Sequence, residues 1–154
     1  MIKMKRILCP VDFSELSKTA LTYAASFAKE FGAELLVVHV VEDVYFPVDP
    51  TAWGFSVATF SKERTTAAEE SLADIVKSDV PEGVKAESLV VNGAPFLEII
   101  RLAKKREVDL IVLSTHGRTG LAHVLMGSVA ERVVRKAPCP VLVVRTGQHD
   151  FAMP

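Results

Sequence analysis

Along this 154-residue chain, apolar residues fall into short, nearly continuous runs, separated by stretches in which they recur every three or four positions. Continuous runs rich in branched residues predict strands covered on both faces. The three-to-four spacing predicts helices with one buried stripe. The first run, Arg6-Ile7-Leu8-Cys9, ends at Pro10. A helix over residues 17–31 follows, with Ala20, Leu21, Ala24, Phe27, Ala28 and Phe31 on one stripe and Gly32 placed to stop it. Asp12 or Ser14 stands where a side chain accepting N–H bonds would cap that helix. Residues 34–41, ELLVVHVV, read as a second buried strand. His39 within it is expected to be a hydrogen-bonded core residue, because no second His, Cys or carboxylate is spaced to share a metal.

The periodicity then fails. Residues 42–60 contain Pro47, Pro50, Gly54 and the aromatics Tyr45, Phe46, Trp53, Phe55 and Phe60 with no sustained period. A loop of that length is expected to be a binding surface or to cover one end of the core or a subunit interface. Residues 61–76 read as a second helix, with Ser61 as N-cap and Arg64 where a capping box would carry Glu. Residues 84–91 alternate as an edge strand does, Asn92-Gly93 turns the chain, and Pro95 opens a third helix running to residue 106. Residues 110–113 form a fourth strand, Gly127-Ser128 opens a fourth helix to Lys136, and Val141 to Val144 is the last strand. This alternation predicts one doubly wound α/β domain, a five-stranded parallel sheet with helices on both faces. The domain is expected over residues 1–146, with a patternless tail at 147–154.

Candidate chemistry concentrates in LIVLSTHGRTGLAHVLMGS, residues 110–128. A buried strand runs into a turn in which Gly117 and Gly120 bracket His116, Arg118 and Thr119, and Gly127-Ser128 opens the next helix. Glycine lets backbone approach a ligand closely, and exposed N–H groups at such a turn and at a helix N-terminus form a site for an anion such as phosphate. The Walker A and G-x-G-x-x-G patterns are both absent.

The segment THGRTGLAHVLMGSVAERVVRKAPCPVLVVR resembles the C-terminal signature of the universal stress protein family, and KRILCPVDFSELSKTAL resembles the family's opening strand, turn and first helix. ATP-binding members carry Gly-x2-Gly-x9-Gly followed by Ser or Thr. Here Gly117, Gly127 and Ser128 match, while Ser114 stands at the first glycine, where its β-carbon either crowds the ribose or adds a hydroxyl. The resemblance implies strand order 3-2-1-4-5, so that the winding reverses between the first and fourth strands and opens a crevice there. It also implies ATP as ligand. Backbone N–H groups of Gly117, Gly127, Ser128 and Val129, with the Ser128 hydroxyl, would hold the phosphates, with His116 and Arg118 as candidate cations beside them. Pro10 and Val40 would flank the adenine. Asp12 would sit near the nucleoside or share a bridging Mg²⁺ or Mn²⁺. In the family the last strand commonly joins two subunits. The apolar edge at Val141–Val144 points the same way, to a homodimer.

Composition narrows the alternatives. A net charge of −1 gives no electrostatic case for nucleic acid. The basic cluster Arg101, Lys104, Lys105 and Arg106 is expected to be solvated and favoured by a helix dipole. No apolar run reaches the roughly 18 residues that span a bilayer and no secretory h-region follows MIKMKR, so no membrane contact and a cytoplasmic location are expected. Cys9 and Cys139 fall at opposite ends of a parallel sheet, too far apart to pair. No residue is spaced to position an attacking water, so at most slow ATP hydrolysis is expected. Two other readings compete with an ATP-binding regulatory dimer of the stress response. One is a nucleotide-independent dimeric interaction module. The other is an enzyme on a similar fold, disfavoured because Asp12 lacks the acidic neighbour, and the third strand the following Asp, of a phosphoacceptor.

Overall fold

The computed structural model describes residues 1–43, 57–115 and 126–145. Strands β1 (Arg6–Pro10), β2 (Glu34–Val41), β3 (Ala86–Asn92), β4 (Leu110–Ser114) and β5 (Val141–Val144) form one sheet of order β3-β2-β1-β4-β5, parallel throughout. Helices α1 (Glu15–Phe31) and α2 (Val57–Asp79) pack on one face, and α3 (Pro95–Lys105) and α4 (Ser128–Lys136) on the other. This is the expected doubly wound α/β fold.

Strand alternation supplies two cores. Ile7, Cys9, Val37 and Val112 face α1 and α2, whereas Leu8, Val38, Ile111 and Leu113 face α3 and α4. Each fully buried aliphatic contributes roughly 1.5–3 kcal/mol, so the central strands β1 and β4 are where burial holds the sheet together. At the edges, β3 is only partly covered, as its alternation predicted, and β5 is buried only at Val144. Opposite the carboxyl ends of the strands, Asp109 Oδ2 accepts the N–H groups of Lys5 and Arg6 at 2.7 and 2.9 Å, fastening the start of β1 to β4.

Several expectations shift. Helix α2 begins at Val57, so Ser61 lies inside it; its carbonyl accepts from the Thr65 hydroxyl at 3.0 Å. Phe60 is 38 % exposed, so the first turn of α2 adds no buried residue to the apolar stripe. The third strand starts at Ala86 because Val84 closes a turn on Pro81. Phe31 is 45 % exposed, outside the predicted stripe, because the last turn of α1 overhangs the core; its ring stacks on Phe27. Gly32 takes the left-handed conformation (φ 63°) that ends α1, and Cys9 and Cys139 are both free thiols. The other aromatics of the irregular segment, and the tail at 147–154, lie outside the described residues.

Candidate functional site

The cleft arises where the β1–β4 ladder stops. These strands pair in register only at Ile7↔Leu110 and Leu8↔Ile111. Backbone groups alternate sides along a strand: Val11 N–H donates to Val38 on β2, and Arg6 C=O accepts from Asp109 beside β4. Position 10 therefore faces β4, and there Pro10 has no N–H to give. One rung of the ladder is lost at Pro10, the register ends at Leu8↔Ile111, and a cleft of about 470 Å³ opens beyond it, within the range of small-molecule sites.

Seven of the expected residues, Pro10, Asp12, Val40, Ser114, Gly127, Ser128 and Val129, line this one cleft. Gly117, His116 and Arg118 lie outside the described residues. By the same alternation, Thr115 N–H donates to Val144 on β5, so Ser114 turns its backbone groups towards β1 and the cleft.

At one end stands the N-terminus of α4. Gly127 is the N-cap, with φ −69° and ψ 156°, a conformation open to any residue. Backbone geometry therefore does not demand glycine there. The Gly127 N–H is not available to an anion, however: it donates to Thr115 O at 2.6 Å, joining the ends of the segment between them. The first intrahelical bond runs from Glu131 to Gly127, so the N–H groups of Ser128, Val129 and Ala130 have no helical acceptor. Those three, with the exposed Ser128 hydroxyl, form the anion-attracting pole of the cleft.

At the mouth of α1, the two capping candidates share the work. Ser14 is the N-cap, its Oγ accepting from Ser17 N–H at 3.2 Å. Asp12 holds Ser14 in place, with Oδ1 accepting its N–H at 3.1 Å and its hydroxyl at 2.5 Å. The buried Ser17 hydroxyl donates to Ser14 O and accepts from Asp12 N–H. Phe13, between them, has φ 68°, a left-handed conformation that costs a non-glycine residue about 1–3 kcal/mol. His39 is the expected hydrogen-bonded histidine: its Nδ1 lies 2.8 Å from Val11 O and, facing a carbonyl, is the donor. Yet it also lines the cleft.

The residue that sequence reasoning missed is Arg64. It reaches the cleft from α2, donates to Glu42 O at 3.0 Å and lies over the Phe60 ring at 5.9 Å. The signal was present as a basic side chain where an acidic cap was expected.

Among the described residues no group of three His, Cys, Asp or Glu side chains could hold a metal, so a cation at Asp12 would take its remaining ligands from phosphate and water. The apolar walls at Pro10 and Val40, the helix pole at Ser128 and the Asp12 carboxylate suit a nucleotide.

The sequence profile of the universal stress protein family matches residues 3–145. The chain belongs to the universal stress protein family. Universal stress protein MJ0531 of Methanocaldococcus jannaschii is 39 % identical over 147 residues, covering 95 % of this chain and 85 % of that protein. The solved structure of MJ0577, from the same organism, superposes with a TM-score of 0.82 at 30 % identity, covering 96 % of this chain and 100 % of that one. A universal stress protein solved in complex with cAMP has a TM-score of 0.65 at 25 % identity, covering 95 % and 100 %. No helix among the described residues of this universal stress protein is long and apolar enough to cross a membrane.

Proposed function

We propose that this chain is an ATP-binding regulatory protein of the stress response, acting as a nucleotide-responsive homodimer. The observation that carries the reading is the single cleft on which Pro10, Asp12, Val40, Ser114, Gly127, Ser128 and Val129 converge from segments a hundred residues apart. The α4 pole attracts the phosphates through the N–H groups of Ser128 and Val129 with the Ser128 hydroxyl, Gly127 is proposed to leave room for them, and Gly117 of the family motif is proposed to contribute its backbone N–H. Pro10 and Val40 flank the base. Asp12 orients the nucleoside or shares a Mg²⁺ or Mn²⁺ ion that neutralises the phosphates. No carboxylate or histidine is marked by its spacing as the residue that positions an attacking water, and the reading is of slow turnover at most, with the response carried by binding.

The dimer reading is supported by β5, which pairs with β4 on one side and leaves its other edge without a strand among the described residues. Ser114, in place of the family's first glycine, favours a second reading as a nucleotide-independent dimeric interaction module. Protein purified without added nucleotide separates them: bound adenine nucleotide released on denaturation is expected, and its absence together with failure to bind added ATP supports the module.

A further inference from the structure

We infer that His39 is a positioning residue of this cleft: it fixes the Val11–Phe13 turn from both sides of Asp12 and so sets where the Asp12 carboxylate meets a ligand. The inference rests on the reading of Asp12 as a ligand-facing residue.

Three observations carry it. The His39 Nδ1 donates to the carbonyl of Val11, immediately before Asp12, at 2.8 Å. Its ring packs against Phe13, immediately after Asp12, with centroids 4.3 Å apart and planes tilted by 33°. Phe13 is held at φ 68°, a conformation that a residue with a side chain keeps only where its surroundings over-determine it. One imidazole thus grips both neighbours of the carboxylate. Its base is β2, which is locked in register to β1 at Pro10↔Val38 and to β3 at His39↔Val90, so the grip is referred to the rigid middle of the sheet. Local bonds, from Ser14 to the Asp12 carboxylate and from Asp12 N–H to the Ser17 hydroxyl, set the turn's shape, but these lie within residues 12–17. His39 connects that turn to β2, whose Val38 and Val40 line the same cleft. A leucine at position 39 would fill space yet remove the Nδ1 donor from the Val11 carbonyl and the imidazole from the face of Phe13, and the turn would relax.

The test uses the full chain with Mg-ATP as probe. Long-range ¹H–¹⁵N spectra of the neutral His39 imidazole are expected to show the proton on Nδ1. His39→Leu is expected to weaken Mg-ATP binding by about tenfold, as loss of a group that orients a ligand-contacting residue does, and to speed amide exchange at Asp12, Phe13 and Ser14. His39→Asn, whose side-chain amide can donate from near the Nδ1 position, should recover most of the affinity. Leu72→Ala, a truncation in the core of α2 away from the cleft, controls for general destabilisation. It should lower Tm and leave affinity unchanged. A proton on Nε2 alone overturns the inference. So does a His39→Leu protein with native affinity and native exchange at the turn, or a Leu72→Ala protein that loses as much affinity as His39→Leu. Should the native chain not bind Mg-ATP, the nucleotide reading falls, and the tautomer and turn exchange still decide whether His39 holds Asp12 in place. If His39→Leu does not fold, His39→Asn and the tautomer decide it.

Discussion

At the residue scale, burial and local charge make opposite predictions for the chain's ionisable side chains. Full burial pushes the Cys9 thiol well above the ordinary cysteine range, because a thiolate there would lose its water without gaining a partner. Cys9 is therefore expected to resist iodoacetamide at pH 8 until the protein is unfolded. Cys139 is partly exposed, raised by burial and then by the Asp109 charge, and should react slowly in the native state. Mass spectrometry of alkylated peptides checks both. Glu34 goes the other way: its hydrogen bond and ion pair with Lys85 at 3.0 Å, aided by Arg6 at 3.6 Å, lower its pKa. A carboxylate whose folded pKa is depressed stabilises the fold above its unfolded value and loses that contribution as pH falls through the lowered one. Glu34→Gln should thus be less stable than the native chain at pH 7, with the gap closing below about pH 4. Urea denaturation at the two pH values measures it, and a gap that widens on acidification would contradict the assignment. Residue-scale chemistry was only partly legible beforehand. Asp12 and Ser14 could be named as capping candidates, but not that one props the other. The Gly127 N–H, expected to face an anion, is engaged by Thr115, a contact that no spacing rule reveals.

At the element scale, the strands were readable because central parallel strands are apolar on both faces, and β2 and β5 run over the residues that their composition marks. Helix α2 was readable only where its stripe meets the core. In its first turn Ala58 and Phe60 are exposed, so periodicity had nothing to report. Arg64 was noticed for the wrong reason, since its place at the cleft depends on how α2 crosses the end of β2. The edge strand makes the sharpest prediction at this scale. Because Ile111 N–H donates to Pro140 and Thr115 N–H to Val144, even-numbered positions of β5 face β4, and Val141 and Val143 turn their backbone groups outward. Val143→Pro should therefore remove an edge donor, weaken dimerisation and spare the intrachain ladder, whereas Leu142→Pro should disrupt the fold itself. Sedimentation velocity with circular dichroism distinguishes the two. A Val143→Pro protein that remains a dimer would mean that subunits join elsewhere.

At the scale of the whole molecule, the site is a consequence of topology. Reversal of the winding between β1 and β4 parts two strands that pair at only two register positions, and Pro10 withholds the donor of the next rung. Into that gap the order of elements brings a turn from the start of the chain and a helix N-terminus from its far end. The sequence made both segments recognisable, and strand order, implied by resemblance to the family and observed in the fold, makes them one cleft. What it could not convey is how the cleft is braced, by His39 from β2 and by Arg64 from α2, because those contacts cross between elements with no period in common. The central claim is that this cleft binds ATP through close approach to the α4 pole. Calorimetric titration with Mg-ATP, comparing the native chain with Gly127→Arg, tests it directly. Gly127 has backbone angles that any residue adopts, so the variant should keep its circular dichroism and lose the space that the phosphates need. Micromolar binding by the native chain and none by a folded Gly127→Arg is the predicted result; equal affinity in the two, or no binding by the native chain, would contradict it.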